Sequence, residues 1–136
     1  MAFMEWNERE LGVHDVLMDA HHRELVAIIN DLHAAISAER GREALAGSIA
    51  RLNDYARFHF AAEEALLARL AYPDLVAQQQ AHAEFNQQVA KMLTPAFAAQ
   101  PRPTLDLITF LRDWLLTHIG GMDRAYGVWL AAQARS

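Results

Sequence analysis

Seven histidines and no cysteine among 136 residues confine any metal chemistry of this chain to imidazole, carboxylate and amide donors. Without thiols there is no disulfide, thiolate zinc site, iron–sulfur cluster or cysteine nucleophile. His59 and Glu63 are four residues apart, as are Gln78 and His82. Residues at that offset stack on one face of a helix, so each pair presents two donors to the same space. His118 and Asp123 are five apart, off-face on a regular helix, but Gly120 and Gly121 lie between them. A break or bulge there turns Asp123 inward. With His22 the set is four imidazoles and two carboxylates. By ligand hardness it suits iron or manganese, and also zinc, and two carboxylates able to bridge favour two ions over one.

The elements that position these residues are read from breakers and periodicity. Gly41, Tyr72-Pro73-Asp74, Gln100-Pro101-Arg102-Pro103 and Gly120-Gly121 divide the chain into long segments that suit helices, and alternating strand patterns are absent. The seams run His22, Leu25, Ile29, Leu32, Ile36; then Leu45, Ile49, Leu52, Ala56, His59, Glu63, Leu66, Leu70. They continue as Leu75, Gln78, His82, Phe85, Val89, Met92, and then Ile108, Leu111, Leu115, His118. Steps of three and four bury one stripe of each helix. The expected fold is all-α: an up-down-up-down four-helix bundle, one domain over 1–136, with helices at about 15–39, 43–70, 74–97 and 104–119. A short helix at about 122–133 follows, and the first fifteen residues form an extended arm whose Phe3, Trp6 and Leu11 cover an edge. Asp74, and Thr104 with Asp106, are expected caps.

In such a bundle His22 is early in its helix, His59 and Glu63 late, Gln78 and His82 early and His118 late, so all converge on one pole. Unpartnered, each would cost several kcal/mol to bury. A common metal site explains them together, whereas one seam histidine alone is more often a satisfied core residue. His14, His21 and His33 are expected at the surface or as outer partners, and Glu64 as a solvated charge. Asp19 is expected as an N-cap or the partner of a ligand imidazole, and Tyr55, Trp6 and Trp129 as packing.

Composition removes other classes. Net charge is −5, with eleven arginines and one lysine (Lys91) spread along the chain, so no basic stripe offers itself to a nucleic acid. No apolar run approaches the roughly 20 residues that span a bilayer. Met1-Ala2-Phe3-Met4-Glu5-Trp6 lacks the pattern of a signal peptide, so a cytoplasmic monomer is expected.

The residues resemble the bacterial hemerythrins, oxygen-binding non-haem di-iron proteins. The matching elements are Trp6 with Leu11-Gly12, Asp19-x-x-His22-x-x-Leu25, Ile29-Asn30, Tyr55-x-x-x-His59-Phe60-x-x-Glu63-Glu64, Tyr72-Pro73 and His82-x-x-Phe85. The last is Trp114-Leu115-x-x-His118-Ile119-x-x-x-Asp123-x-x-Tyr126. The resemblance implies two iron ions with a bridging oxo or hydroxo group. His22 and His59 would hold one, His82 and His118 the other, with Glu63 and Asp123 bridging. It implies an O2 pocket built from Phe60, Trp114, Leu115 and Ile119, and no catalytic residue. The family pattern has a histidine where this chain has Gln78, which is expected as a weak ligand or outer partner, leaving the second iron an exchangeable position. The leading expectation is a non-enzymatic O2-binding protein for storage, delivery or sensing. The alternative is a di-iron oxidase or peroxidase, or a protein handling nitric oxide or metal.

Overall fold

A computed structural model describes residues 2–38, 42–98 and 105–135, and among them every regular element is helical. The elements are α1 (Glu8–Leu11), α2 (Val16–Ser37), α3 (Arg42–Arg69), α4 (Leu75–Lys91), α5 (Pro95–Ala98), α6 (Leu105–His118), a π turn (Ile119–Asp123) and α7 (Arg124–Arg135). The expected breaks at Gly41 and 100–103, and the caps at Thr104 and the Asp106 side chain, lie outside what is described.

Pairwise contacts fix the helix directions. His22 meets Glu63 while Asp31 meets Arg51, so α2 and α3 run antiparallel. Glu63 meets His82 while Phe60 meets Phe85, which sets α4 against α3. His82 meets His118 while Phe85 meets Trp114, which sets α6 against α4.

Several local expectations are corrected. Asp15, not Asp19, caps α2, accepting the Met18 N–H at 2.9 Å. Asp19 instead accepts the Val13 N–H at 2.9 Å and ties the arm to α2. Asp74 occupies the N-cap position of α4 without a side-chain capping bond. The helix expected to reach residue 97 ends at Lys91, because Pro95 has no N–H to continue it; the Thr94 hydroxyl accepts from Phe97 N at 3.3 Å and starts α5. The arm is not wholly extended, since Asn7 caps the single turn of α1. Before that turn the Asn30 amide pairs with both backbone groups of Met4, at 2.8 and 2.9 Å.

Two apolar clusters fill the interior. The larger includes Leu25, Ile29, Ala56, Phe60, Phe85, Leu111 and Leu115; the smaller is Val13, Met18, Leu67, Tyr72 and Tyr126. Each long helix passes from one cluster to the other through polar seam residues: Met18–His22–Leu25 on α2, Phe60–Glu63–Leu67 on α3. The polar set is therefore a layer sealed on both sides. Leu70, expected on the seam, is 38% exposed, because it lies just past the end of α3 while Leu67 faces the smaller cluster.

The end of α3 explains that placement. Tyr72 N–H reaches Leu67 O at 2.9 Å and Ala71 N–H reaches Ala68 O at 3.1 Å, the bond pair of a Schellman cap. Its left-handed position is Ala71, at φ 57°. A Cβ is disfavoured there, so Ala71→Gly is expected to stabilise the protein by about 0.5–1 kcal/mol. The check is an upward shift of the urea midpoint at unchanged m; a lower midpoint contradicts it.

Candidate metal centre

His22, His59, Glu63, His82, His118 and Asp123 are all buried and meet in the polar layer. Ligating atoms of Glu63, His82, His118 and Asp123 lie within 4.8 Å of one another, and so do those of His22, His59 and Glu63. Glu63 belongs to both groups. All four imidazoles present Nε2 to the carboxylates: His22 at 3.1 Å from Glu63 and 3.2 Å from Asp123, His59 at 3.5 Å and His82 at 3.0 Å from Glu63, and His118 at 3.1 Å from Asp123. The π turn supplies the last carboxylate. Its extra residue per turn converts the five-residue offset of His118 and Asp123 into a shared direction.

The electrostatics follow from burying two carboxylates side by side. Burial opposes charge on Glu63, but the close imidazoles of His22, His59 and His82 hold its pKa well below the usual carboxylate value. Asp123 is opposed by burial and by the Glu63 charge, yet contacts with His118 and His22 hold it low as well. Burial works against a charged His22, but bonds to Asp123 and Glu63 overcome it and push its pKa up to about 10. His82 is likewise raised, burial being outweighed by Glu63 and Glu64.

From the sequence alone, Tyr126 and Glu64 have no part in the site, and His21 stands open between the surface and an outer partner. Tyr126 donates its hydroxyl to Glu63 Oε2 at 2.7 Å, and burial beside the two carboxylates raises its pKa. Tyr126 stands three residues after Asp123, a helical spacing that offered a signal. Glu64 is not a solvated charge, since its Oε2 lies 2.8 Å from His82 Nδ1. His21 is buried, with Nδ1 at 3.0 Å from His59 Nδ1, so it is an outer partner and not a surface residue. His33 stacks on Phe3 at 4.0 Å, and His14 is exposed at φ 60°. Tyr55 is half-buried, edge-on to His21.

Gln78 is buried with its Nε2 at 2.9 Å from Asp123 Oδ1. A carboxylate oxygen only accepts, so the amide nitrogen is committed there. Of the expected pocket residues, Phe60 stacks on His82 at 4.0 Å and Trp114 on His118 at 4.6 Å. Leu115 and Ile119 are buried in the larger cluster.

Residues 14–130 match the hemerythrin HHE cation-binding domain. The chain belongs to the hemerythrin family. It is 30% identical to a bacteriohemerythrin of Methylococcus capsulatus over 97% of this chain and all of that protein. It is 33% identical to one of Stenotrophomonas maltophilia over 93% of this chain and 80% of that protein. A crystal structure of wild-type hemerythrin superposes with a TM-score of 0.86 at 28% identity, covering 93% of this chain and 96% of that one. Hemerythrins are O2-binding non-haem iron proteins whose di-iron centre carries an oxo or hydroxo bridge.

The residues fit such a centre. His59 Nε2, Glu63 Oε1, Gln78 Oε1 and Asp123 Oδ2 are buried without a hydrogen-bond partner, although imidazole nitrogens stand near several of them. His82 Nε2 and His118 Nε2 face each other at 3.2 Å. Lone pairs packed so closely in a dry layer are what cations satisfy.

Without metal, the protons do that work, and the sign of the pH dependence follows. Lowered carboxylate pKa values stabilise the metal-free fold above their ordinary values of 4.5 and 3.8, and that contribution is lost as pH falls through the lowered ones. The raised His22 value stabilises fully below 6.5 and fades as pH climbs to about 10. Metal-free protein is therefore expected to be most stable between 4.5 and 6.5, with an alkaline decline that His22→Gln reduces and to which the raised His82 value still contributes. Urea midpoints across that range test it; a flat alkaline limb contradicts it.

Proposed function

We propose that this chain, as one domain over 1–136 folded into an up-down-up-down four-helix bundle, is a monomeric cytoplasmic O2 carrier or store. His22 and His59 hold one iron, His82 and His118 the other, and Glu63 with Asp123 spans the two. The observation that carries this reading is the convergence of four Nε2 atoms on two buried carboxylates, each with one oxygen that accepts no hydrogen bond. When bound, the iron pair supplies reversible electron exchange with O2.

The chain's own residues do the rest. Carboxylates shared between two positions fix the separation of whatever they hold. The Tyr126 hydroxyl pins Glu63 Oε2, and the Gln78 amide pins Asp123 Oδ1, so neither carboxylate swings away from the layer. Phe60 and Trp114 cover the His82 and His118 rings with apolar surface and keep water off that side. Among the described residues no helix is long and apolar enough to cross a membrane.

The test is to load the metal-free protein with ferrous iron anaerobically, count ions per chain and admit O2. Two ions, and a visible absorption that disappears on removing O2 and returns on readmitting it, are expected. Irreversible bleaching with reductant consumed points to the oxidase alternative, and fewer than two ions removes the two-iron reading.

We read Gln78 as the holder of Asp123, with no imidazole supplied at its position, so the second iron keeps an exchangeable site. Gln78→His is then expected to lengthen the lifetime of the oxygenated protein severalfold, measured as the rate of autoxidation. Unchanged lifetime and iron content overturn that role.

A further inference from the structure

We propose that Glu64 secures the metal position built on His82 and His118, acting through the far nitrogen of His82. The proposal rests on the two-iron reading above and adds a residue to which that reading gives no part.

All four imidazoles turn Nε2 to the shared carboxylates, so donor strength depends on what each Nδ1 meets. His82 Nδ1 meets a carboxylate oxygen of Glu64 at 2.8 Å. His59 Nδ1 meets another imidazole, His21, at 3.0 Å. His22 Nδ1 is buried with no hydrogen-bond partner. An N–H donated to a carboxylate leaves more electron density on the opposite nitrogen than one donated to a neutral ring. The four rings are therefore unequal donors, and His82 is the strongest of those three. It also serves the position where Gln78 offers an amide already engaged with Asp123. The best supported of those three imidazoles therefore stands beside the position where an amide replaces the family's third histidine.

Position makes Glu64 testable. Its side chain is 27% exposed while that of His82 is 1% exposed, so the carboxylate approaches the layer from the solvent side of α3. Exposed ion pairs contribute little, but here one partner is buried and its ring orientation is what the bond fixes. The His82 ring is also stacked on Phe60, a contact in which Glu64 takes no part.

The experiment titrates Co2+ anaerobically into metal-free wild type, Glu64→Ala and Glu64→Gln, following the visible cobalt bands. Wild type is expected to take two ions. Glu64→Ala is expected to weaken one of them by about 10–100-fold and leave the other unchanged. Glu64→Gln, whose amide oxygen still accepts the His82 N–H, recovers part of the loss. A general packing role would instead lower metal-free stability and weaken both ions alike. Equal weakening of both ions, or two wild-type affinities in Glu64→Ala, overturns the proposal and leaves the two-iron reading standing. A wild type that takes fewer than two ions sinks that reading, and this proposal with it.

Discussion

Two carboxylates buried side by side, with no lysine or arginine contact to either among the described residues, set the terms for the rest of this molecule. Glu63 and Asp123 are fully buried and each disfavours ionisation of the other. In a low-dielectric interior such a pair demands positive charge at short range. Among the described residues the groups in reach that can supply it are imidazoles, and the pKa of His22, in reach of both carboxylates, is pushed up to about 10, towards the protonated form. A metal entering the layer must displace that proton. Binding and proton release are therefore linked, and the same carboxylates that destabilise an empty, fully deprotonated layer give a cation its affinity.

The fold is arranged to keep that layer dry. Beneath it lies the main apolar core, and above it the smaller cluster that arm residue Val13, Tyr72 and Tyr126 complete. The cover is held by polar bonds at its edge: Asp19 to the Val13 backbone, and Tyr126 to Glu63 itself. Gly127 lets α7 approach the arm closely, because a Cβ there would stand 2.7 Å from the Val13 backbone. The arm, which the sequence marks only by a few apolar residues, is thus part of the site's wall.

What the sequence made legible was whatever points along a seam. His22, His59, Glu63, Gln78, His82 and His118 interrupt apolar stripes of three-four spacing, and a polar residue in a stripe is visible without coordinates. Glu64 was not legible and His21 only as one of two alternatives, because each sits one residue from a seam position and so about 100° around the helix. An imidazole has a second nitrogen that reaches sideways, and side-reaching partners leave no trace in a periodicity. The early end of α4 was illegible for a different reason. The apolar pattern runs on through Met92 into Pro95–Ala98, and only the missing N–H of Pro95 decides that the helix cannot.

The π turn shows which of sequence and site is the stronger cause. Gly120 and Gly121 mark the place, yet neither has positive φ, a Cβ at Gly121 would meet nothing within 4 Å, and one at Gly120 only an ordinary contact with Leu11. The wide turn therefore does not need glycine for room or for handedness. What it delivers is Asp123, whose oxygens are engaged by His22, His118 and Gln78 from three other segments. A regular helix would carry that carboxylate about 100° away and leave those three without it. The glycines weaken the local α-helix so that the wider turn is cheap, and the contacts made by Asp123 are what hold the turn in that form.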